Sequence, residues 1–397
     1  MAARAGTDTM KIVLAPDKFK GSLTAAGVAD ALAAGIRQVL PEAELVQVPV
    51  ADGGEGTVSA ALGAGFTPRR AVVAGPTGQP LTAEFAVSDG PERTRTAVIE
   101  MAAASGLDVL LGGTLDALGA TSLGTGQLIR AALDAGCRRI ILGVGGSACT
   151  DGGAGMLAGL GARFTDDAGL DLPLGGAALA RIAAADLSGL DTRLDGAQLT
   201  LAADVDNPLL GVRGAAAVFG PQKGASPSDV EALDAALARF AGILGEALGP
   251  AAAASKDIPG AGAAGGVGYA ALALGAQRRR GIDVVVEFTG LRGKLAGADL
   301  VVTGEGSLDA QSLSGKAPVG VAAEAAAFGI PVVAVCGRSQ LDAASRAKAG
   351  FASVHALTDL EPDVDTCIRE AASLLRRLGR DLAVTIVDSN SRKEPVR

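Results

Sequence analysis

The stretch IILGVGGSACTDGGAGM, residues 140–156, decides how the chain is organised. Three aliphatic residues, Ile140, Ile141 and Leu142, give way to glycine, small hydroxyl residues and one acid before an apolar, helix-like run resumes. A buried strand reads this way when it ends at a loop whose backbone must come close to something. Gly145, Gly146, Gly152, Gly153 and Gly155 lack the side chains that would keep a phosphate from main-chain N–H groups. GVGGSA from Gly143 also satisfies GxGxxA, with Asp166 and Asp167 about twenty residues beyond Gly145, as in a dinucleotide-binding turn. Thr150-Asp151-Gly152-Gly153 interrupts the helix that such a turn needs. Phosphate binding of another kind is therefore favoured, with a purely structural glycine turn as the plain alternative.

Working outward, 397 residues suggest two domains. Aromatic residues are only 3% and Trp is absent, so the core must be built from Ala, Val, Leu and Ile. That composition suits parallel strands covered by helices on both faces. A net charge of −8, without a long block of like charge, argues against nucleic acid and anionic membrane surfaces as partners. Cys137, Cys149, Cys336 and Cys367 include no CxxC pair and read as small core residues in a reducing, cytoplasmic compartment. No stretch reaches the roughly 18 to 20 uninterrupted apolar residues of a membrane span. Residues 1–9 and 391–397 read as disordered ends, and Met10 offers a second candidate start.

Residues 11–15 (KIVLA) predict a buried strand ended by Pro16, and Thr24 opens a helix with Val28, Leu32, Ile36 and Val39 at helical spacing. A strand at 44–50, the loop ADGGEG and another helical stretch complete the opening of a parallel sheet. Residues 71–87 break the pattern. A GPTGQP turn precedes alternating Leu81, Ala83, Phe85 and Val87, the mark of an antiparallel hairpin with one wet face. Strands at 96–101, 139–144 and 199–203 follow, with a helix at 126–135. Ser226 reads as an N-cap with Pro227 first in the helix, and Ser228 with Glu231 as an alternative capping box. Residues 250–259 (PAAAASKDIP) read as a linker, and from about residue 298 the β-α alternation returns, closing on a long helix from about Asp365. The expected fold is α/β. Residues 10–68 and 296–390 form a Rossmann- or flavodoxin-like parallel-sheet domain, and a second α/β domain, residues 69–295, is inserted into it and carries the glycine-rich loop.

Three strand ends carry acids. ADGGEG (51–56) puts Asp52 and Glu55 where open α/β sheets bind ligands, VVTGEGSLD (301–309) repeats this with Glu305 and Asp309, and ADVDN (203–207) adds Asp204 and Asp206. Any one of them serves equally well as a turn or helix cap, but the set exceeds what turns require. Such acids can hold Mg²⁺ together with phosphate oxygens, or accept a proton from a hydroxyl nucleophile. Lys20 in FKGS, Lys223 in PQKG and Lys316 in SGKAP can neutralise phosphate or carboxylate groups, although a single such lysine is more often just solvated. The absences are equally informative: there is no GxxxxGK[ST], HRD, DFG or GxSxG, and the single histidine, His355, falls in a predicted strand.

APDKFKGSL, VADGGEGT, IEMAAASGL, TSLGTGQLI, GVGGSACTDGGAGM, DNPL, FGPQKGAS, PGAGAAGGVGYA and TGEGSLDAQSLSGKAP occur in that order. Together they resemble the bacterial type-1 glycerate kinases from Lys11 to the C-terminal helix. The resemblance implies ATP- and Mg²⁺-dependent phosphorylation of D-glycerate, usually at the 2-hydroxyl, by a two-domain α/β enzyme, with a homodimer as the candidate assembly. Carried onto this chain, it places Asp204 as the base and Lys20 and Lys223 on the glycerate carboxylate or the transferring phosphate. Asp17, Ser22, Asp52, Glu55, Asn207, Ser122 and Thr125 become the substrate-binding set. Gly145, Gly146, Ser147, Asp151, Gly152, Gly153, Gly265, Gly266 and Lys316 become the nucleotide and phosphate set, and Glu305 and Asp309 the candidates for Mg²⁺. The chain departs from the usual pattern at Lys18, often Ser, at Leu123 and Ser307, both often Arg, and at Cys149-Thr150, commonly Thr-Asn. The rival readings are phosphorylation of the 3-hydroxyl or of another small hydroxy acid, an NAD-dependent oxidoreductase, and a ligand-binding regulator without catalysis.

Overall fold

The strands in chain order are β1 (Lys11–Pro16), β2 (Glu44–Gln47), β3 (Thr67–Ala74), β4 (Pro80–Val87), β5 (Thr96–Glu100) and β6 (Arg139–Gly143). They continue as β7 (Arg163–Thr165), β8 (Ala184–Asp186), β9 (Gln198–Ala202), β10 (Gln277–Arg279), β11 (Leu300–Leu308), β12 (Val332–Ser339) and β13 (Ser353–Ala356). The computed structural model describes residues 9–89 and 94–391; of the ends expected to be disordered, 1–9 and 391–397, all but Thr9 and Ser391 lie outside it, and Ser391 closes a helix. The chain divides into two compact units, one made of the segments up to Asp52 and from Ile282 onward, the other of Gly53–Gly281.

In the first unit five parallel strands lie in the order β13-β12-β11-β1-β2. β1 is buried at every residue after Lys11, as a strand covered on both faces must be. The chain steps one way from β1 to β2 and the other way from β11 through β12 to β13, so strand order reverses between β1 and β11, where Pro16 pairs with Gly304. Helix Ala25–Ile36, capped by Thr24 on Gly27 N–H, packs closely on helix Ala371–Ser391. Glycine is needed at that contact: a Cβ on Gly35 would strike the Arg376 carbonyl, and one on Gly379 would meet the Leu32 carbonyl oxygen.

The second unit holds a six-stranded sheet, β10-β9-β6-β5-β4-β3, in which the first four are parallel and β4 and β3 form the antiparallel hairpin expected from the alternation. β7 and β8 pair separately. The core is aliphatic, with Phe240 edge-on to Phe164 and Tyr269 at ring distances of 5.6 and 6.2 Å. Helix Thr57–Gly63 packs on β4 and β5, which is why residues 53–68 group with this unit although the sequence reading drew them with the other. Likewise the division falls at 281/282, ahead of the 295/296 boundary drawn from the sequence. The unit begins and ends at one place, since a Cβ on Gly53 would lie 2.7 Å from Gly281 Cα.

Three local readings change. Ser226 does cap helix Pro227–Leu248, but its capping box is closed by Asp229, not by Ser228 with Glu231. The expected linker contains a helix, Pro250–Ala254, followed by a 3₁₀ turn, because four alanines behind an N1 proline favour helix. The C-terminal helix is two helices, Val364–Arg369 and Ala371–Ser391. Among the described residues no helix is long and apolar enough to cross a membrane.

Candidate active site

Where strand order reverses in an open parallel sheet, the loops at the carboxyl ends part and leave room for a ligand. In the first unit Asp17 follows β1 and Glu305 lies in β11, on the two sides of that point. Both are nearly buried, at 7% and 8% exposure. Burial pushes the Asp17 carboxyl well above the usual carboxylate range, and the charges of Asp52 and Glu305 push it the same way; the Lys18 N–H at 2.6 Å offsets part of this. Glu305 is also raised, by burial first, with a hydrogen bond from Ser312 and the Lys316 charge opposing and Asp52 and Asp309 adding. Oε1 of Glu305 is buried without a hydrogen-bond partner among the described residues. Asp17, Asp52, Glu305, Asp309 and Lys316 are thus brought into one electrostatic neighbourhood. Asp309 Oδ1 accepts the N–H groups of Gln311 and Ser312, and Lys316 precedes helix Ala317–Ala326.

Among the described residues no group of three or more His, Cys, Asp or Glu side chains is arranged to hold a metal ion. Mg²⁺ does not require one, since it takes one or two carboxylates and completes its shell with phosphate and water. The unpartnered Glu305 oxygen and the mutual repulsion of the carboxylates fit a cation there. Lys20, by contrast, is exposed, and Ser22 Oγ donates to the Ile368 carbonyl at 2.7 Å. At position 307, where the resemblance leads one to expect arginine, Ser307 Oγ receives Arg338 Nε from the neighbouring strand at 3.3 Å.

In the second unit the glycine-rich loop leaves β6 and runs to helix Ala154–Gly159. Only Gly145 and Gly146 reach solvent; residues 147–154 are buried. Among the described residues the Gly145 and Gly146 N–H groups donate to no protein acceptor. A Cβ on Gly146 would touch only Ala102 Cβ, at 3.4 Å. The other glycines are consumed by packing. Gly152 N donates to Gly265 O at 2.9 Å, a Cβ on Gly266 would lie 2.7 Å from Gly152 Cα, and one on Gly265 would strike the Cys149 carbonyl. All four of Gly152, Gly153, Gly265 and Gly266 have positive φ. The two glycine-rich segments therefore serve each other, backbone against backbone.

Asp151 holds this arrangement. Its carboxylate accepts from Ser122 N at 2.7 Å, Ser122 Oγ at 2.9 Å, Thr121 Oγ1 at 3.3 Å, Gly153 N at 3.0 Å and Gly155 N at 3.2 Å. Ser122 Oγ in turn accepts from Met156 N, and Thr125 Oγ1 donates to Ser105 Oγ. Lys223 is only 1% exposed, donates to the Cys149 carbonyl, and has its ammonium pKa lowered by burial against the opposing charges of Cys149 and Asp151. Asn207 is half-buried and bonded within the unit: Nδ2 donates to Arg213 O, and its backbone carbonyl accepts from Gly260 and Gly262. Asp204, at the end of β9, accepts Gly281 N at 2.8 Å, whereas Asp206 is paired with Arg278 at 2.6 Å.

Two residues with structural consequence at these strand ends were not singled out in the sequence. Glu100, closing β5, accepts Gly56 N at 3.0 Å and Val58 N at 2.7 Å and so fixes the ADGGEG loop to the sheet, with Glu55 on it exposed. Arg278, in the run QRRRG, orders the segment after β9 through Val205 O and Asp206. An acid ending a strand and consecutive arginines before a glycine were the available signals.

Within the first unit carboxylates gather at a switch point, and within the second an open pair of glycine N–H groups follows a buried strand; each is suited to a phosphate-bearing ligand of an α/β phosphotransferase. The chain belongs to the glycerate kinase family, whose description matches residues 12–387. It is 44% identical to a glycerate kinase of Bacillus subtilis strain 168 over 95% of this chain and 98% of that one. It is 43% identical to a glycerate 2-kinase of Escherichia coli strain K12, again over 95% and 98%. A crystal structure of a Salmonella typhimurium LT2 protein designated glycerate kinase 2 superposes with a TM-score of 0.84 at 43% identity, covering 97% of this chain and all of that one.

Proposed function

We propose that this protein transfers the γ-phosphoryl group of ATP to the 2-hydroxyl of D-glycerate, giving 2-phosphoglycerate and ADP. The observation that carries the reading is the near full-length identity to a protein named glycerate 2-kinase. The interrupted helix after the glycine loop speaks against a dinucleotide oxidoreductase. Phosphoryl transfer asks the protein mainly for positioning and charge neutralisation. The exposed N–H groups of Gly145 and Gly146 are the proposed phosphate donors, and Asp204 is the proposed acceptor of the hydroxyl proton. The bond from Gly281 N to Oδ1 fixes this carboxylate at the end of β9. Glu305 and Asp309 would hold Mg²⁺, which when bound screens the phosphate charge, and Lys316 would lie beside them. Asp151, Ser122, Lys223, Gly265 and Gly266 support the loop from within. The four described cysteines are all free and buried, which supports a reducing, cytoplasmic setting.

The test is ADP release with Mg-ATP and D-glycerate, with the product's phosphate position read by NMR. Phosphate on the 3-hydroxyl would overturn the regiochemistry alone. Asp204→Asn keeps an oxygen for Gly281 N–H, so it should fold normally and lose about 10²- to 10⁴-fold in kcat; full activity would remove Asp204 as the base.

A further inference from the structure

We propose that Arg338 is an anion-binding residue of the first unit, its guanidinium taking an oxyanion of a reactant, carboxylate or phosphate, at the carboxyl edge of β11 and β12. This rests on the phosphotransferase reading above. β11 and β12 pair in parallel with Glu305 opposite Cys336 and Ser307 opposite Arg338. Residues two apart on a strand share a face, and so do register partners. Ser307 and Arg338 therefore stand on the face that carries Glu305, about 7 Å further toward the carboxyl edge.

The side chain is held as a binding group would be. Nε donates to Ser307 Oγ, which fixes the guanidinium near its root; among the described residues the two terminal nitrogens meet no protein acceptor. The residue is exposed, and among the described residues no carboxylate pairs with it. Elsewhere in the same unit arginines do find carboxylates, Arg292 on Glu324 and Arg380 on Asp381. A planar fork oriented at one nitrogen and open at two is suited to bidentate recognition of an oxyanion. The same edge gathers Asp17, Asp52, Glu305 and Asp309, which repel any approaching anion. A reactant with its own negative charge needs a fixed cation there, and Arg338 supplies one beyond the acids along the same face.

Because Arg338 is exposed, Arg338→Ala should melt with the wild type. Calorimetric titration with D-glycerate and, separately, with Mg-ATP reads which reactant it serves. We expect about 10- to 100-fold weaker binding of one of the two, with a matching rise in its KM. Weakened glycerate identifies a carboxylate, and weakened ATP a phosphate. Arg338→Lys should recover only part of the loss, because an ammonium lacks the fork. Ser307→Arg combined with Arg338→Ser moves the guanidinium to the register partner and should restore most of it. Dissociation constants for both ligands within twofold of wild type in Arg338→Ala would overturn the inference, as would a wild type that binds neither. Wild type that binds but releases no ADP on adding glycerate would sink the kinase reading, while the titrations still decide on Arg338.

Discussion

Asp17 and Asp191 show how opposite surroundings give opposite pH behaviour. The Asp17 carboxyl is raised by burial and by its acidic neighbours, so the folded chain binds that proton more tightly than the unfolded chain. Its contribution to stability is fully present below the ordinary value of 3.8 and is lost as pH rises through the folded value. Asp17→Asn should therefore raise the melting midpoint at pH 7 by about 2–4 °C, with the gain fading below pH 4, while activity falls. Thermal melts across pH check this, and a lower midpoint at pH 7 would contradict it. Asp191 is the reverse case. Arg193 holds its carboxyl down at about 2, with ion-pair contact at 2.6 Å, so its stabilisation is present above 3.8 and is lost as pH falls toward 2. Asp191→Asn should cost about 1 kcal/mol at neutral pH and little at pH 2 in denaturant titrations. Neither environment is visible in composition: Asp17 entered the sequence reading only through the APDKFKGSL motif, and Asp191 not at all.

At the scale of elements, the glycine-rich loop separates into a part that faces out and a part that faces in. Gly146→Ala meets only Ala102 at 3.4 Å but keeps a φ of 72°, so it should cost about 1–2 kcal/mol in stability and at least about tenfold in KM for ATP. Gly265→Ala drives a Cβ into the Cys149 carbonyl at positive φ and should cost more than about 3 kcal/mol. Urea titration of both variants distinguishes them, and equal stability would contradict the packing described. This contrast explains what could be read in the sequence. Strand β6, the hairpin β3-β4 and the switch-point acids follow from periodicity and from the ends of aliphatic runs. A glycine that admits phosphate and one that admits another backbone look the same in one dimension, so Gly145 and Gly265 received the same reading. Lys223 likewise reads in sequence as a lysine for the glycerate carboxylate or the transferring phosphate, whereas in the fold it is buried and donates to the distant Cys149 carbonyl. The capping box was ambiguous because Ser226 and Ser228 each have an acid three residues on, and only the backbone selects Asp229.

For the whole molecule, the second unit has its own core, and its two ends, Gly53 and Gly281, touch. The fragment 53–281 should fold alone, with dispersed amide resonances and one cooperative unfolding transition. The first unit, with Asp52 joined to Ile282 through a short glycine-serine link, should do the same. An unstructured fragment 53–281 would refute that independence. The touching ends also bear on the order of folding. β1 and β11 must pair across the whole intervening segment, and closing a disordered loop of roughly 280 residues costs about 5 kcal/mol in chain entropy. Once that segment has folded, its entry and exit already lie together, and the outer strands meet across what has become a short tether. The interior of the chain should accordingly acquire protection from hydrogen exchange before β1 and β11 do, and the first-synthesised strand waits for the last third of the sequence to complete its sheet.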